Sequence, residues 1–267
     1  MFKTSVSTAV FQSGALGTTE KLELKNLVEK LAELGYNGIE SLPYDPDEVD
    51  VSFYKTLPGG MTVSAVASGG ISFRHGVTFL DPAEEKRAAS LRLMKRYVKL
   101  AYDLNAPMVL IGSAIGKIES SIDRERAIGW LVDSLKSCSH YAEQMNVSLA
   151  IEPINRYERN FLNSVDDGLD ILRLTGAENV HLLLDTFHMN IEEASIRNSI
   201  RKAGKEVVHV HLADSNRWPP GFGHMDFKSI IHDLREIEYA GFLSLECLPK
   251  PDAATALESG IRYIGAL

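Results

Sequence analysis

Four apolar, strand-like segments of this chain each end on a residue type that binds metal ions. The segments are SLAIE, HLLLD, VVHVH and FLSLE, and their last residues are Glu152, Asp185, His211 and Glu246. Successive ends lie 33, 26 and 35 residues apart, which is enough for one strand, one helix and two loops. In a parallel barrel the strand ends share one face, so three carboxylates and an imidazole should converge there. A cluster of anions is costly unless a cation neutralises it, and the pattern therefore predicts a divalent metal site.

Strand and helix patterns alternate along the whole chain and predict an α/β fold, a (β/α)8 TIM barrel of eight parallel strands with surrounding helices. The chain has 267 residues, and a barrel of this kind has roughly 250. We therefore expect a single domain over residues 1–267. The predicted strands are 3–8, 38–42, 61–68, 107–112, 148–152, 181–185, 207–211 and 242–246. The predicted helices are 20–34, 51–57, 81–104 (with Asp81 as its cap), 123–145, one that opens at Ser164, 195–203, 226–237 and 252–267.

The alternation of side chains along the fifth predicted strand supports this site. Ser148, Ala150 and Glu152 share one face, while the branched Leu149 and Ile151 share the other. Small residues suit a crowded barrel interior and branched residues suit the layer between strands and helices. The strands that end at residues 211 and 246 show the same preference, so the predicted ligands lie on the interior face.

The composition indicates a globular protein of a reducing compartment. The net charge of −8 argues against nucleic-acid and anionic membrane partners, which need clustered Lys and Arg. Two distant cysteines without CxxC spacing indicate buried thiols rather than disulfides. No apolar run approaches the ~20 residues of a membrane span. We expect a cytoplasmic protein, and we leave open whether it is a homo-oligomer.

Each predicted ligand also has a simpler interpretation when it is taken alone. Asp185 could cap the turn that follows it, Glu246 could pair with a surface lysine, and His211 could be a hydrogen-bonded core histidine. Four consecutive units that all end on ligand-type residues favour the metal site instead. Three oxygen donors and one imidazole suit Mn²⁺, with Mg²⁺ or Co²⁺ as alternatives, better than a thiolate-rich zinc site.

The sequence around these strand ends resembles the D-tagatose/D-psicose 3-epimerase family of the xylose-isomerase-like TIM barrels. It is most similar to members described as 5-keto-L-gluconate epimerase or L-xylulose-5-phosphate 3-epimerase-like. The second half of the chain carries the resemblance, and the first half shares only the barrel pattern. The motifs are IEPINRYE (151–158), LDTFHMNIEE (184–193), HVHLADSNRWPPGFGHMDF (209–227) and LECLP (245–249).

This resemblance implies roles for individual residues. The metal ligands would be Glu152, Asp185, His211 and Glu246, and Glu152 and Glu246 would also be the catalytic acid/base pair. The O1–O2 end of the substrate would contact Glu158, His188 and Arg217. As alternatives, His188 could orient a metal ligand, and Arg217 could be a solvated loop charge.

Three further expectations concern residues near the site. We expect His209, which is one pleat deeper than His211, to be packed and hydrogen-bonded, and Asp226 to cap the next helix. Members of the family often surround the sugar with aromatic residues from early loops, whereas the loop after the fourth strand reads GSAIG here. The candidate replacements are Phe11, Phe73, Arg74 and His75.

We therefore predict a divalent-metal-dependent epimerase of a small, non-phosphorylated ketose or keto-sugar acid. The metal would polarise the substrate carbonyl and stabilise an enediolate, while the two glutamates remove and return a proton. One alternative is a sugar or hydroxypyruvate isomerase of the same fold. An endonuclease IV-like phosphodiesterase would need several zinc ions and further histidines, and a non-catalytic sugar-binding barrel would not need both glutamates.

Overall fold

Each strand of the chain pairs in parallel with the next one, and the eighth strand returns to pair with the first. The computed structural model describes residues 2–8 and 23–267, and within this part the strands close into a barrel. The TIM-barrel prediction is thereby confirmed. The strands are β1 (Lys3–Ser7), β2 (Gly38–Ser41), β3 (Thr62–Ala67), β4 (Met108–Ile111), β5 (Ser148–Ile151), β6 (Val180–Asp185), β7 (Val207–Leu212) and β8 (Phe242–Leu245).

Helices connect these strands and cover the outside of the barrel. Within the described residues they are α1 (Leu24–Leu34), α2 (Val51–Tyr54), α3 (Gly70–Phe73), α4 (Glu84–Asp103), α5 (Arg124–Glu143), α6 (Val165–Thr175), α7 (Thr186–Glu192), α8 (Ile196–Ala203), α9 (Phe227–Glu236) and α10 (Ala253–Gly265). Residues 20–22 of the first predicted helix lie outside the described residues. None of the helices that the structure describes is both long and apolar enough to cross a membrane.

The strand residues divide into two layers, as the alternating pattern predicts. Leu149 and Ile151 belong to the large core between the strands and the helices. Ala150 packs instead with Leu110 and Leu183 in a smaller cluster inside the barrel. This interior cluster fills the middle of the barrel with apolar side chains, and the four predicted ligands lie at the C-terminal ends of their strands.

Helix starts follow the capping chemistry of the sequence at two sites near the barrel mouth. Ser164 and Asp167 form a capping box at the start of α6, in which each side chain bonds the other residue's backbone. Asp226 accepts a hydrogen bond from the backbone of Ser229 at the start of α9. Both predicted caps are confirmed.

The start of α4 differs from the prediction. The helix begins at Glu84, and its preceding residue makes no side-chain cap, so the expected cap at Asp81 is wrong. Asp81 instead accepts a hydrogen bond from the backbone of Ala83, two residues on. The Arg87 guanidinium donates to the carbonyls of Asp81 and Pro82 and thereby ties this turn to the first turn of the helix.

Candidate metal centre

Four side chains from four consecutive strand ends meet at the mouth of the barrel. Glu152 and Glu246 directly follow β5 and β8, Asp185 ends β6, and His211 lies in β7. One ligand atom from each of them lies within 4.8 Å of the other three. His211 Nδ1 is 3.2 Å from a carboxylate oxygen of Glu246, 3.5 Å from one of Glu152 and 3.8 Å from one of Asp185. The structure thus brings together all four residues that the sequence singles out.

Two buried polar atoms in this cluster have no hydrogen-bond partner. They are His211 Nδ1 and Asp185 Oδ2. The other oxygen, Asp185 Oδ1, accepts hydrogen bonds from the backbone of Phe187 and His188 and caps α7. The helix-capping interpretation of Asp185 is therefore correct for one oxygen and leaves the second one free. An unsatisfied buried polar atom costs about 1–3 kcal/mol, so the donor set fits a divalent ion.

The charged groups of the cluster shift one another's pKa values. Burial raises the pKa of the Glu152 carboxyl above its ordinary value. Burial alone would lower the pKa of His211, but the neighbouring Glu246 and Glu40 carboxylates hold it well above the usual range. Burial likewise raises the pKa of Glu246, but the His211 charge outweighs it, and the net shift is downward. A positive charge at this point stabilises the carboxylates, and a bound divalent cation would supply such a charge.

A glycine next to Glu152 makes room for its carboxylate. Gly112 directly follows β4, and a Cβ atom added to it would lie 2.4 Å from Glu152 Oε2. No L-amino acid with a side chain would fit there without displacing that oxygen. The GSAIG loop, which contains no aromatic residue, therefore has a steric role beside a predicted ligand.

A chain of hydrogen bonds connects the predicted substrate contacts with one another and ends beside the cluster. Arg217 donates to Glu158 Oε1 at 3.0 Å, and the same oxygen accepts from the Asn155 amide at 3.0 Å. The Asn155 amide nitrogen also lies 2.7 Å from His188 Nδ1, and His188 Nε2 is 4.0 Å from Glu152 Oε1. Because the amide donates to Nδ1, His188 carries its proton on Nε2, toward Glu152. Asn155 was missed, although it lies inside the IEPINRYE motif.

Arg217 is fixed in place rather than solvated. Its side chain is 14% exposed, and its guanidinium stacks over the Phe187 ring at 4.8 Å. Its backbone has a φ of 61° and donates to the Asp214 carbonyl. The Asp214 carboxylate in turn accepts hydrogen bonds from the backbone of Gly221 and Met225, which holds the loop together. The alternative of a free loop charge is therefore wrong.

A cavity of about 460 Å³ opens above the cluster. Its wall includes Tyr44 and Phe73, and Phe73 is 65% exposed. Of the other residues expected in this wall, Arg74 and His75 do not line the cavity, and Phe11 lies outside the described residues. His75 points instead toward Asp45, which is 3.4 Å from its Nε2.

Glu40 is a buried carboxylate that the sequence reasoning missed. It lies in β2, is fully buried, and its Oε2 is 2.8 Å from His211 Nε2 and 3.0 Å from His209 Nε2. Burial raises the pKa of Glu40, but His211 and His209 outweigh burial, and the net pKa is well below its usual range. His209 is completely buried and hydrogen-bonded, as its position one pleat below His211 predicts.

The fold and the site together define a TIM barrel with a candidate divalent-ion site at the C-terminal ends of its strands. Residues 28–267 match the family model described as xylose isomerase-like TIM barrel, and the chain belongs to that family.

Two relatives that cover most of the chain are named as sugar epimerases. L-ribulose 3-epimerase of Methylomonas sp. (strain DH-1) is 33% identical over 217 residues, which cover 80% of this chain and 75% of the relative. D-psicose 3-epimerase of Ruminiclostridium cellulolyticum is 31% identical over 235 residues, which cover 84% of this chain and 78% of the relative. A solved structure of L-ribulose 3-epimerase is 25% identical, with a TM-score of 0.84 and coverage of 100% and 94%.

Proposed function

We propose that this protein is a carbohydrate epimerase that acts on a free ketose or keto-sugar acid with one bound divalent ion. Mn²⁺ is the first choice, and Mg²⁺ and Co²⁺ are alternatives, because three carboxylates and one imidazole form the donor set. The relatives named for L-ribulose and D-psicose support an epimerase of keto-sugars. The observation that carries the proposal is the presence of two glutamates, Glu152 and Glu246, within the four-residue cluster.

The ion would be held by Glu152, Asp185, His211 and Glu246, and when bound it supplies Lewis-acid polarisation of the substrate carbonyl. Inversion at a carbon requires one base on each face of the substrate. Glu152 follows β5 and Glu246 follows β8, three strands apart around the ring, so they reach the cavity from separate directions. One carboxylate removes the proton, and the other returns a proton from the opposite side.

The groups around the two glutamates are arranged to hold a polyhydroxy compound. The His188 Nε2–H and the Arg217 guanidinium are donors beside the cavity, and Glu158 is an acceptor. Each of them is positioned by another side chain, directly or through Asn155. This chain of hydrogen bonds would orient the hydroxyl groups at one end of the substrate, so that the carbon to be inverted lies between Glu152 and Glu246.

The site fits the rival functions less well. A phosphodiesterase with several zinc ions needs further ligand groups, and in the part of the chain described here the only other candidate group is Glu40, His209 and His211. That group shares His211 with the four-residue cluster, and both of its histidines already lie within hydrogen-bond distance of Glu40. A sugar-binding barrel would use Arg217 and Glu158 but would not need two glutamates beside one ion. An isomerase of the same fold remains the second candidate, because it uses the same kind of site.

A substrate screen tests the proposal. Free ketoses, keto-sugar acids and ketose phosphates are incubated with the protein and Mn²⁺, and the products are separated by their stereochemistry. We expect inversion beside an unmoved carbonyl and a preference for a non-phosphorylated compound. A product with a relocated carbonyl would indicate the isomerase, and a kcat/KM far higher for a ketose phosphate than for its free sugar would refute the preference.

A further inference from the structure

A completely buried carboxylate lies directly behind the candidate ion site. Glu40 Oε2 is within hydrogen-bond distance of three donors: His211 Nε2 at 2.8 Å, His209 Nε2 at 3.0 Å and Ser244 Oγ at 3.2 Å. These donors belong to β7 and β8, whereas Glu40 belongs to β2, on the other side of β1. The second oxygen of Glu40 has no hydrogen-bond partner. Oε2 is therefore the oxygen that accepts the hydrogen bonds of this carboxylate.

This arrangement determines which nitrogen of His211 faces the predicted ligands. An ionised carboxylate can only accept hydrogen bonds, so each imidazole must carry a proton on the Nε2 that faces Glu40. A neutral imidazole protonated on Nε2 has its lone pair on Nδ1. For His211, Nδ1 is the atom that lies 3.2–3.8 Å from the carboxylates of Glu152, Asp185 and Glu246.

We propose that Glu40 is a positioning residue that holds His211 in the tautomer and orientation that bind the divalent ion. The proposal rests on the proposed function, because it concerns the ion of the same site. Glu40 borders the base of the cavity but is fully buried, and it acts through the His211 ring rather than as a ligand. A carboxylate that accepts a hydrogen bond from a ligating histidine also makes the ring nitrogen a stronger electron-pair donor to the metal. Loss of such a carboxylate typically weakens metal binding about 10–100-fold.

Glu40 is held rigidly enough for this role. Its neighbour in β1 is Ser7, and the Ser7 hydroxyl donates to Glu246 Oε1 at 3.4 Å. His209 adds a second imidazole to the same oxygen, and its ring meets the His211 ring edge-on at 5.3 Å between centroids. The His211 ring is thus fixed by a hydrogen bond at Nε2 and by packing, which leaves only Nδ1 for the ion.

The same three residues could be interpreted as a second ion site, because Glu40, His209 and His211 also lie within ligand distance of one another. Two observations favour the positioning role. The N···O distances of 2.8 and 3.0 Å are those of ordinary hydrogen bonds. A second ion there would also have to take Nε2 of His211 while the first takes Nδ1. The number of ions bound per chain distinguishes the two interpretations.

The first experiment measures the affinity for Mn²⁺ itself. Metal-free wild type, Glu40→Gln and Glu40→Asp are titrated with MnCl₂ in a calorimeter. Glu40→Gln keeps the shape and removes the acceptor charge, and Glu40→Asp keeps the charge but is one methylene too short to reach His211. We expect one ion per chain in each protein, and about 10–100-fold weaker binding in both variants. Asp233→Asn is the matched control, because Asp233 is also a buried carboxylate but bonds Arg197 and Arg201 away from the cluster.

The second experiment observes the tautomer directly. Protein labelled with ¹⁵N-histidine is loaded with diamagnetic Zn²⁺, and the ring nitrogens of His211 are assigned by NMR. We expect Nε2 of His211 to carry a hydrogen-bonded proton in the wild type and Asp233→Asn, and this proton signal to shift or disappear in Glu40→Gln. A change that only loosened the fold would not alter the ring tautomer selectively.

Three results would overturn the proposal in distinguishable ways. Mn²⁺ affinity within twofold of wild type in both Glu40 variants, with an unchanged His211 signal, would refute the positioning role alone. Two ions in the wild type and one in Glu40→Gln would make Glu40 a ligand. A wild type that binds no ion would refute the metal dependence in the proposed function as well.

Discussion

Replacing Gly112 by alanine should damage catalysis while leaving the fold almost unchanged. The added Cβ would lie 2.4 Å from Glu152 Oε2, so the carboxylate would have to move by about 1 Å to regain van der Waals separation. Gly112 does not have a positive φ, and alanine at this position therefore causes no backbone strain. A displacement of about 1 Å at a reacting group costs about 100-fold in rate. We expect kcat/KM to fall by about that factor and the free energy of unfolding to change by less than about 1 kcal/mol.

The assay compares this variant with Gly129→Ala at saturating Mn²⁺, using the best substrate from the screen. Gly129 lies inside α5, and a Cβ added to it would meet nothing within 4 Å. Alanine in a helix interior stabilises by about 0.5–1 kcal/mol relative to glycine, so this control should be slightly more stable and fully active. Urea unfolding measures the stability of both variants. An active Gly112→Ala would show that the Glu152 carboxylate can move freely, which would refute its role as a fixed base.

The remaining predictions concern the substrate contacts, the ion and the salt bridges between α8 and α9. Arg217→Ala and His188→Ala should each raise KM and lower kcat. Their metal content should not change, because neither side chain is one of the four predicted ligands. Steady-state kinetics and elemental analysis test this, and loss of metal would contradict it. Removal of the ion with a chelator should abolish activity and lower the thermal midpoint, and MnCl₂ at about 100 times its Kd should restore about 2.7 kcal/mol of stability. Hydrogen bonds from Arg197 and Arg201 lower the pKa of Asp233 from 3.8 to about 2. Both arginines are partly exposed, so solvent screens part of this interaction, and Asp233→Asn should lower the free energy of unfolding at neutral pH by about 1–2 kcal/mol. Since the folded pKa is the lower one, this stabilisation is complete above about pH 4, and the difference from wild type should vanish as the pH falls through 2 in urea titrations.

The sequence predicted which four side chains meet at the candidate centre because the geometry of a parallel barrel converts a local pattern into a shared site. A strand that ends on a carboxylate places it at the same face as every other strand end, whatever the intervening helix does. Glu152, Asp185, His211 and Glu246 therefore meet although each was recognised only from its own strand. The alternation within β5 also determined correctly which side chains face the interior.

Glu40 was missed for a physical reason. Its strand reads GIES, which is too short and too polar to stand out as an apolar run. The contacts that give it a role are with residues 169 and 171 positions away in the sequence. Those contacts exist only after β1 closes the barrel between β2 and β8, and no local pattern encodes that closure. Asn155 was missed because its role depends on the orientation of one amide between two partners.

The boundary errors have a similar origin. An Asp-Pro pair predicts a helix start, and at Asp81 the local hydrogen bond to Ala83 does form. The helix nevertheless begins at Glu84, because Arg87 bonds the carbonyls of the preceding turn and keeps it outside the helix. Competition of this kind between a side chain and the helix backbone shifts an element boundary without changing the fold.

Replacing one glutamate at a time tests separately the base on each face of the substrate. Glu152→Gln and Glu246→Gln should each abolish epimerisation, because inversion needs a base on both faces. Either variant should still exchange the substrate proton with solvent on the face that keeps its carboxylate, and proton NMR of the substrate in D₂O detects this exchange. Substantial turnover in both variants would contradict the assignment of these two residues.

The position of solvent deuterium in the product tests the central claim most directly. The wild-type protein converts its best substrate in D₂O with Mn²⁺, and NMR locates the deuterium in the isolated product. The two-base epimerase mechanism predicts one deuterium at the inverted carbon, with the carbonyl unmoved and no label on a neighbouring carbon. A carbonyl shifted by one position, with the label on the adjacent carbon, would contradict the account and identify an isomerase.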